Sequence, residues 1–173
     1  MESKGPSFLK LLLVLVGSVA FIVWAGASIA TDDALWFLRV FHEDAASIDL
    51  YWDGAQLQLQ PGSPEYSLLN EAFQEEVAHI RAFPRGVGLS DAMLNHLRAA
   101  GRLLEVHYAE PARVHSQYRY GPSAVFYVPL SGNHAWSSRV FNSARGTPLE
   151  LRSTALIMAA AETVVVESGI GGP

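Results

Sequence analysis

Three residues able to bind a metal or carry a proton, Glu105, His107 and His115, fall within the stretch "LLEVHYAEPARVHSQY". Imidazole nitrogens and carboxylate oxygens are ligands for divalent metals, and two imidazoles held close together repel once both are protonated. Such a group binds an ion or responds to pH. Strand alternation places Leu104, Val106 and Tyr108 on one face. If "RVHSQYRY" returns antiparallel, Val114, Ser116 and Tyr118 share that face, and Tyr108 stands opposite Val114 across a five-residue loop. His107 is then opposite His115, with Cβ atoms about 5 Å apart, and Glu105 faces Gln117 between Arg113 and Arg119. A pair of histidines on a strand falls short of the ligand count of a firm metal centre. The same residues also suit the wet face of an antiparallel sheet. Glu105, His107 and His115 are therefore candidate ligand or metal residues; no catalytic residue and no cofactor is assigned.

Other motifs yield less. In "EEVAH", Glu75 and Glu76 precede His79 at i, i+4 and i, i+3 on an expected helix. Glu-x-x-His is half of a di-iron signature, but the full site needs a second copy on a facing helix and the chain has none. A carboxylate–imidazole pair on a solvated helix face accounts for it. Ser131 to His134 spells the letters that name the SGNH hydrolases, and the similarity ends with the spelling. That family draws those residues from four separated blocks, including Gly-Asp-Ser and Asp-x-x-His, and neither block occurs here. The Gly-x-Ser-x-Gly elbow of other serine hydrolases is also missing, because "GPSAV" lacks its last glycine. Ser131-Gly132-Asn133 is expected to be a turn after a strand. Tyr51, Trp52, Tyr118, Tyr120, Phe126, Tyr127 and Trp136 follow strand alternation, as core aromatics do, although such rings also line binding grooves.

The clearest signal lies at the N-terminus. Residues 11–30, "LLLVLVGSVAFIVWAGASIA", carry no formal charge, and as a helix they reach about 30 Å, the thickness of a bilayer's hydrocarbon core. Lys4 and Lys10, the only lysines in the chain, precede this run, and Asp32 and Asp33 follow it. Basic residues stay on the cytoplasmic side, so the expected topology is N-terminus in and the rest outside. The same residues fit a cleavable signal peptide with small side chains near Ala27 and Ala30. A retained anchor is preferred, because the run is long enough to span and "ALWFLRVF" continues it with apolar residues. Both readings export the remainder.

The 173-residue chain has no cysteine, which excludes disulfides, thiolate catalysis and cysteine zinc sites. From Thr31 onward, 10 arginines face 16 acidic residues, opposite to the basic stripe of a nucleic-acid binder.

Beyond the anchor, 31–47 is expected to be a juxtamembrane stalk with a short amphipathic helix bearing Leu35, Leu38 and Phe41. "IDLYWDGAQLQLQ" alternates around Asp53-Gly54, a pair suited to a tight hairpin turn. A helix follows from Ser63 and Pro64 to Ile80, and a second runs from Ser90 to Gly101. Three strands are expected next, the third, "SAVFYVPL", central because it is apolar on both faces. "SSRVFN" and "TPLEL" form a hairpin around "SARG", and a helix spans 153–167. The expected fold is α+β, an N-terminal transmembrane helix followed by a mainly antiparallel sheet with about three helices packed on one face. Its parts are a cytoplasmic tail 1–10, a transmembrane helix or signal peptide 11–30, the stalk 31–47, an extracytoplasmic domain 48–167 and a flexible tail 168–173.

This pattern points first to a single-pass, membrane-anchored domain with a non-catalytic binding or accessory role at the cell envelope. Its partners would be the lipid bilayer through 11–30 and a membrane protein, with no nucleic acid. An extracytoplasmic hydrolase or metal-dependent enzyme, and a secreted binding protein released by cleavage, are the alternatives. The oligomeric state is not fixed by the sequence.

Overall fold

A computed structural model describes residues 7–38, 40–82, 87–116, 120–146 and 148–170. The elements in chain order are α1 (Phe8–Thr31), β1 (Ser47–Trp52), β2 (Ala55–Leu59), α2 (Pro64–Ala78), β3 (Ile80–Ala82), α3 (Asp91–Ala100), β4 (Arg102–Ala112), β5 (Ser123–Pro129), α4 (Gly132–Trp136), β6 (Arg139–Val140), β7 (Leu149–Leu151) and α5 (Ala155–Ser168). Two units separate: Met1–Leu38 with His115–Tyr120, and Arg39–Val114 with Gly121–Pro173. The fold is α+β, as its sequence pattern implies.

In the first unit α1 starts at Ser7, whose hydroxyl accepts the Lys10 N–H, and stops at Asp32 in the left-handed conformation, φ 57°. Among the described residues it is the one helix long and apolar enough to cross a membrane. The Trp24 indole donates to the Ala34 carbonyl at 3.0 Å. Residues 34–37 form turns rather than the expected amphipathic helix. The Asp33 carboxylate explains this by accepting the Leu35 N–H at 2.8 Å, a side-chain bond that competes with helical pairing.

The second unit holds two sheets, with strand orders β2-β1-β4-β5 and β3-β7-β6. Asp53 and Gly54 turn the β1–β2 hairpin with φ of 50° and 93°, the two positive values that the pair was expected to supply. β4 pairs antiparallel with β1 and β5. One sheet face presents Ile48, Leu50, Leu104, Val106, Phe126 and Val128, all buried. Phe73 of α2 packs on Phe126 with ring centroids 5.8 Å apart, and α5 packs on α2. Phe41 meets Phe73, Tyr108 and Phe126 edge-on at 6.0–6.2 Å, so the core takes in a residue upstream of Ile48.

The other face carries Asp49, Tyr51, Leu103, Glu105, His107 and Tyr127. α3 covers one end of it: Leu94 and Leu97 pack with Leu103, Leu89 and Phe141, flanked by Tyr51 and Tyr127. The helices thus occupy both faces rather than one. Ser90 caps α3 by accepting the Met93 N–H, as expected for its position.

Three strand expectations are corrected. Residues 113–116 and 120 are not in a strand, 117–119 lie outside the described residues, and β5 takes the place beside β4 that "RVHSQYRY" was expected to fill. β5 offers apolar side chains on both faces, whereas "RVHSQYRY" offers one such face, so pairing with β5 buries more apolar surface. The inner strands are β1 and β4, and in β4 Leu103, Leu104, Glu105 and Val106 are all buried; β5 is an edge strand of its sheet. Reciprocal backbone bonds between Tyr127 and Phe141, at 2.8 and 2.9 Å, cover that edge. Finally, α2 ends at Ala78, and Ile80 opens β3, which pairs with β7. The β6–β7 hairpin forms as the sequence indicated.

Candidate functional site

β1 and β4 bring Asp49, Glu105 and His107 together on the face partly roofed by α3. Register pairs Asp49 with Glu105 across the two strands, and His107 follows two residues later on the same face of β4. His107 Nε2 lies 3.1 Å from Asp49 Oδ2 and 3.6 Å from Glu105 Oε2. This nitrogen is buried, and neither oxygen meets it in an aligned hydrogen bond. Glu105 is 2% exposed and Asp49 8%.

Each carboxylate has a neighbour behind it. From α3, Arg98 grips Glu105 with Nε donating to Oε1 at 2.6 Å and an Nη2 donating to Oε2 at 3.0 Å. Gln56 of β2 donates to Asp49 Oδ1 at 3.4 Å. Arg98 reaches across because Leu94 and Leu97 anchor α3 to the sheet and leave the next residue over the strand. The guanidinium also lies 5.8 Å from the Tyr51 ring centre.

Electrostatics follow from this packing. Burial alone pushes the Glu105 carboxyl up, and contact with His107 and Arg98 outweighs it, leaving the group below the ordinary value. Contact with Glu105 raises His107 against the opposing effect of burial, with Asp49 adding to the rise. The phenols of Tyr51 and Tyr127 are pushed up by burial first and by the Glu105 charge second. The arrangement can hold a cation between two carboxylates, whether that cation is an imidazolium or a metal ion.

Of the three residues named from the sequence, the structure joins Glu105 with His107 and does not pair either with His115. The strand partners of His107 are Ser47 and Val125. His115, in the first unit, instead places Nδ1 at 3.0 Å from the buried Asp33 carboxylate. Asp49 was missed as a member, although its alternation opposite Tyr51's neighbours was legible, because the register that brings it to Glu105 joins strands distant in sequence.

The other motifs resolve structurally. Glu75 and His79 are an exposed pair at 3.6 Å, while Glu76 is buried and its Oε1 accepts the Leu156 N–H at the start of α5. Ser131 Oγ accepts the Arg102 N–H at 2.9 Å and ties the end of β5 to the start of β4. Gly132–Trp136 forms one short helix rather than only a turn. Trp52, Tyr120 and Phe126 are buried, Tyr51 and Tyr127 half-buried, Trp136 is 91% exposed, and Tyr118 lies outside the described residues.

Three clefts of about 410, 320 and 400 Å³ lie along β2 and the start of α2, beside Phe41 and the end of α2, and beside Asp44 and Tyr66. None of these three is lined by Asp49, Glu105 or His107. No protein-family model, curated protein or solved structure matches the chain.

Proposed function

We propose that the chain is a single-pass membrane protein, with its N-terminus in the cytoplasm and its α+β domain outside as a non-catalytic binding or accessory module. The observation that carries this reading is the exposure of α1. Among the described residues of this unit, Phe8, Leu13, Val14, Phe21, Ile22 and Ile29 are each more than half exposed. Its 24 residues correspond to about 36 Å, enough to cross a bilayer core. Water does not tolerate a contiguous apolar surface of that kind. Lys10 near its start and Asp32 and Asp33 after its end support the inward N-terminus.

The binding role is supported by the three clefts beside β2, Phe41 and Tyr66, which offer open volumes of about 320–410 Å³. Supporting it further, Ser131, the serine of the one nucleophile-like string, is spent on a backbone N–H.

Expression of the full chain with a C-terminal tag, followed by fractionation and mass spectrometry of the N-terminus, tests the proposal. An intact N-terminus in carbonate-resistant membranes, with the tag accessible from outside, is the expected result. A soluble product beginning near Ser28 or Thr31 would overturn the anchor and leave a secreted binding protein.

A further inference from the structure

We infer that Asp49, Glu105 and His107 form a binding site for a divalent transition-metal ion of the zinc type. The inference concerns the sheet face and stands whether or not the N-terminal segment is retained.

Chemistry and spacing both carry it. One imidazole nitrogen and two carboxylate oxygens are a ligand set for such an ion. Ligands bound tetrahedrally at about 2.1 Å lie about 3.4 Å from one another. The His107 nitrogen is 3.1 Å from the Asp49 oxygen and 3.6 Å from the Glu105 oxygen, on either side of that spacing. All three ligand atoms lie within 4.8 Å of one another. The imidazole nitrogen is buried and makes no aligned hydrogen bond to either oxygen.

The supporting contacts fit the same purpose. A carboxylate oxygen has two lone pairs, and the Arg98 fork uses one on each oxygen of Glu105. Oε2 keeps one for an ion, and Arg98 fixes the orientation of the ligand as outer partners do in metal sites. Gln56 engages Oδ1 of Asp49 and leaves Oδ2 toward the imidazole. Three protein ligands leave a position for water or for an oxygen of a bound partner.

Adding zinc to the full chain in detergent micelles, after stripping with a chelator, tests the site by calorimetry. The expected result is saturable binding of one ion per chain, with a shift of the His107 imidazole nitrogen resonances in the wild-type protein. Asp49→Asn and His107→Gln, which preserve side-chain size, should each weaken affinity at least about tenfold, the lower range for loss of even an outer partner. His79→Gln should leave it unchanged. Absence of saturable binding overturns the site, as does binding that leaves the His107 resonances unmoved or persists undiminished in both variants. The nitrogen resonances keep the test decisive if either variant fails to fold.

Discussion

Arg98 and Glu105 form a two-pronged ion pair that fastens α3 to β4, with the carboxylate 2% and the guanidinium side chain 35% exposed. A buried charge that loses its partner costs more than the pair itself contributes. Arg98→Ala should therefore lower unfolding stability by about 2–3 kcal/mol, less than for a wholly buried pair because Arg98 is partly solvated. Arg98→Met with Glu105→Leu should recover most of that loss, since apolar replacement of both partners is often neutral. Urea unfolding of the chelated protein measures both. A single variant within about 0.5 kcal/mol of wild type would contradict the assignment.

Glu76 occupies a different kind of buried position. Its acceptor oxygen satisfies an N–H of the first turn of α5 that no residue of that helix can reach. Glu76→Ala should cost about 1–2 kcal/mol, and Glu76→Gln less than half as much because an acceptor survives. Glu75→Ala, at the exposed neighbouring position, supplies the control and should stay within about 0.5 kcal/mol. Equal losses at the two positions would count against a capping role. Thermal unfolding followed by circular dichroism distinguishes these outcomes.

His134 gives the pH dependence. Burial first, and the Arg139 charge second, lower its pKa below the ordinary histidine value. Arg139 approaches Nδ1 at 3.3 Å and the ring stands edge-on to Phe141 at 5.1 Å, contacts that suit the neutral imidazole. The unfolded chain then binds the proton more readily than the folded one. The stabilisation from His134 is present above its unfolded value, about 6.5, and is lost as pH falls through the lower folded value. Thermal midpoints across this interval should fall less steeply with acid in His134→Gln than in wild type. An unchanged slope would rule His134 out as the source.

Local signals were legible and distant pairings were not. Ser63 and Ser90 mark helix starts, and Asp53-Gly54 marks a hairpin, because caps and tight turns are decided by adjacent residues. The apolar run of α1 was equally plain. "LLEV" is the informative failure: a carboxylate amid doubly buried residues signals that Glu105 needs a partner, yet Arg98 lies on a helix and Asp49 on a strand far upstream. The choice between "RVHSQYRY" and "SAVFYVPL" as neighbour to β4 depends on total burial, which local alternation does not contain. The spacing of Ile80 suits the apolar stripe of a helix, whereas its pairing with Leu151 places it in a strand.

That last pairing is one of two that join distant parts of the chain. β3 meets β7 only by joining Ile80 to Leu151, and β1 meets β4 by joining Ile48 to Val106. Contacts so remote must pay for closing long loops before they contribute stability, which slows folding relative to helical bundles of similar size. With no cysteine to trap a partly closed chain covalently, the sheets must form and hold by noncovalent contacts alone. Newly made molecules would thus expose unpaired strand edges for longer than those of a protein with local topology, which is the interval in which copies of a chain can pair with one another.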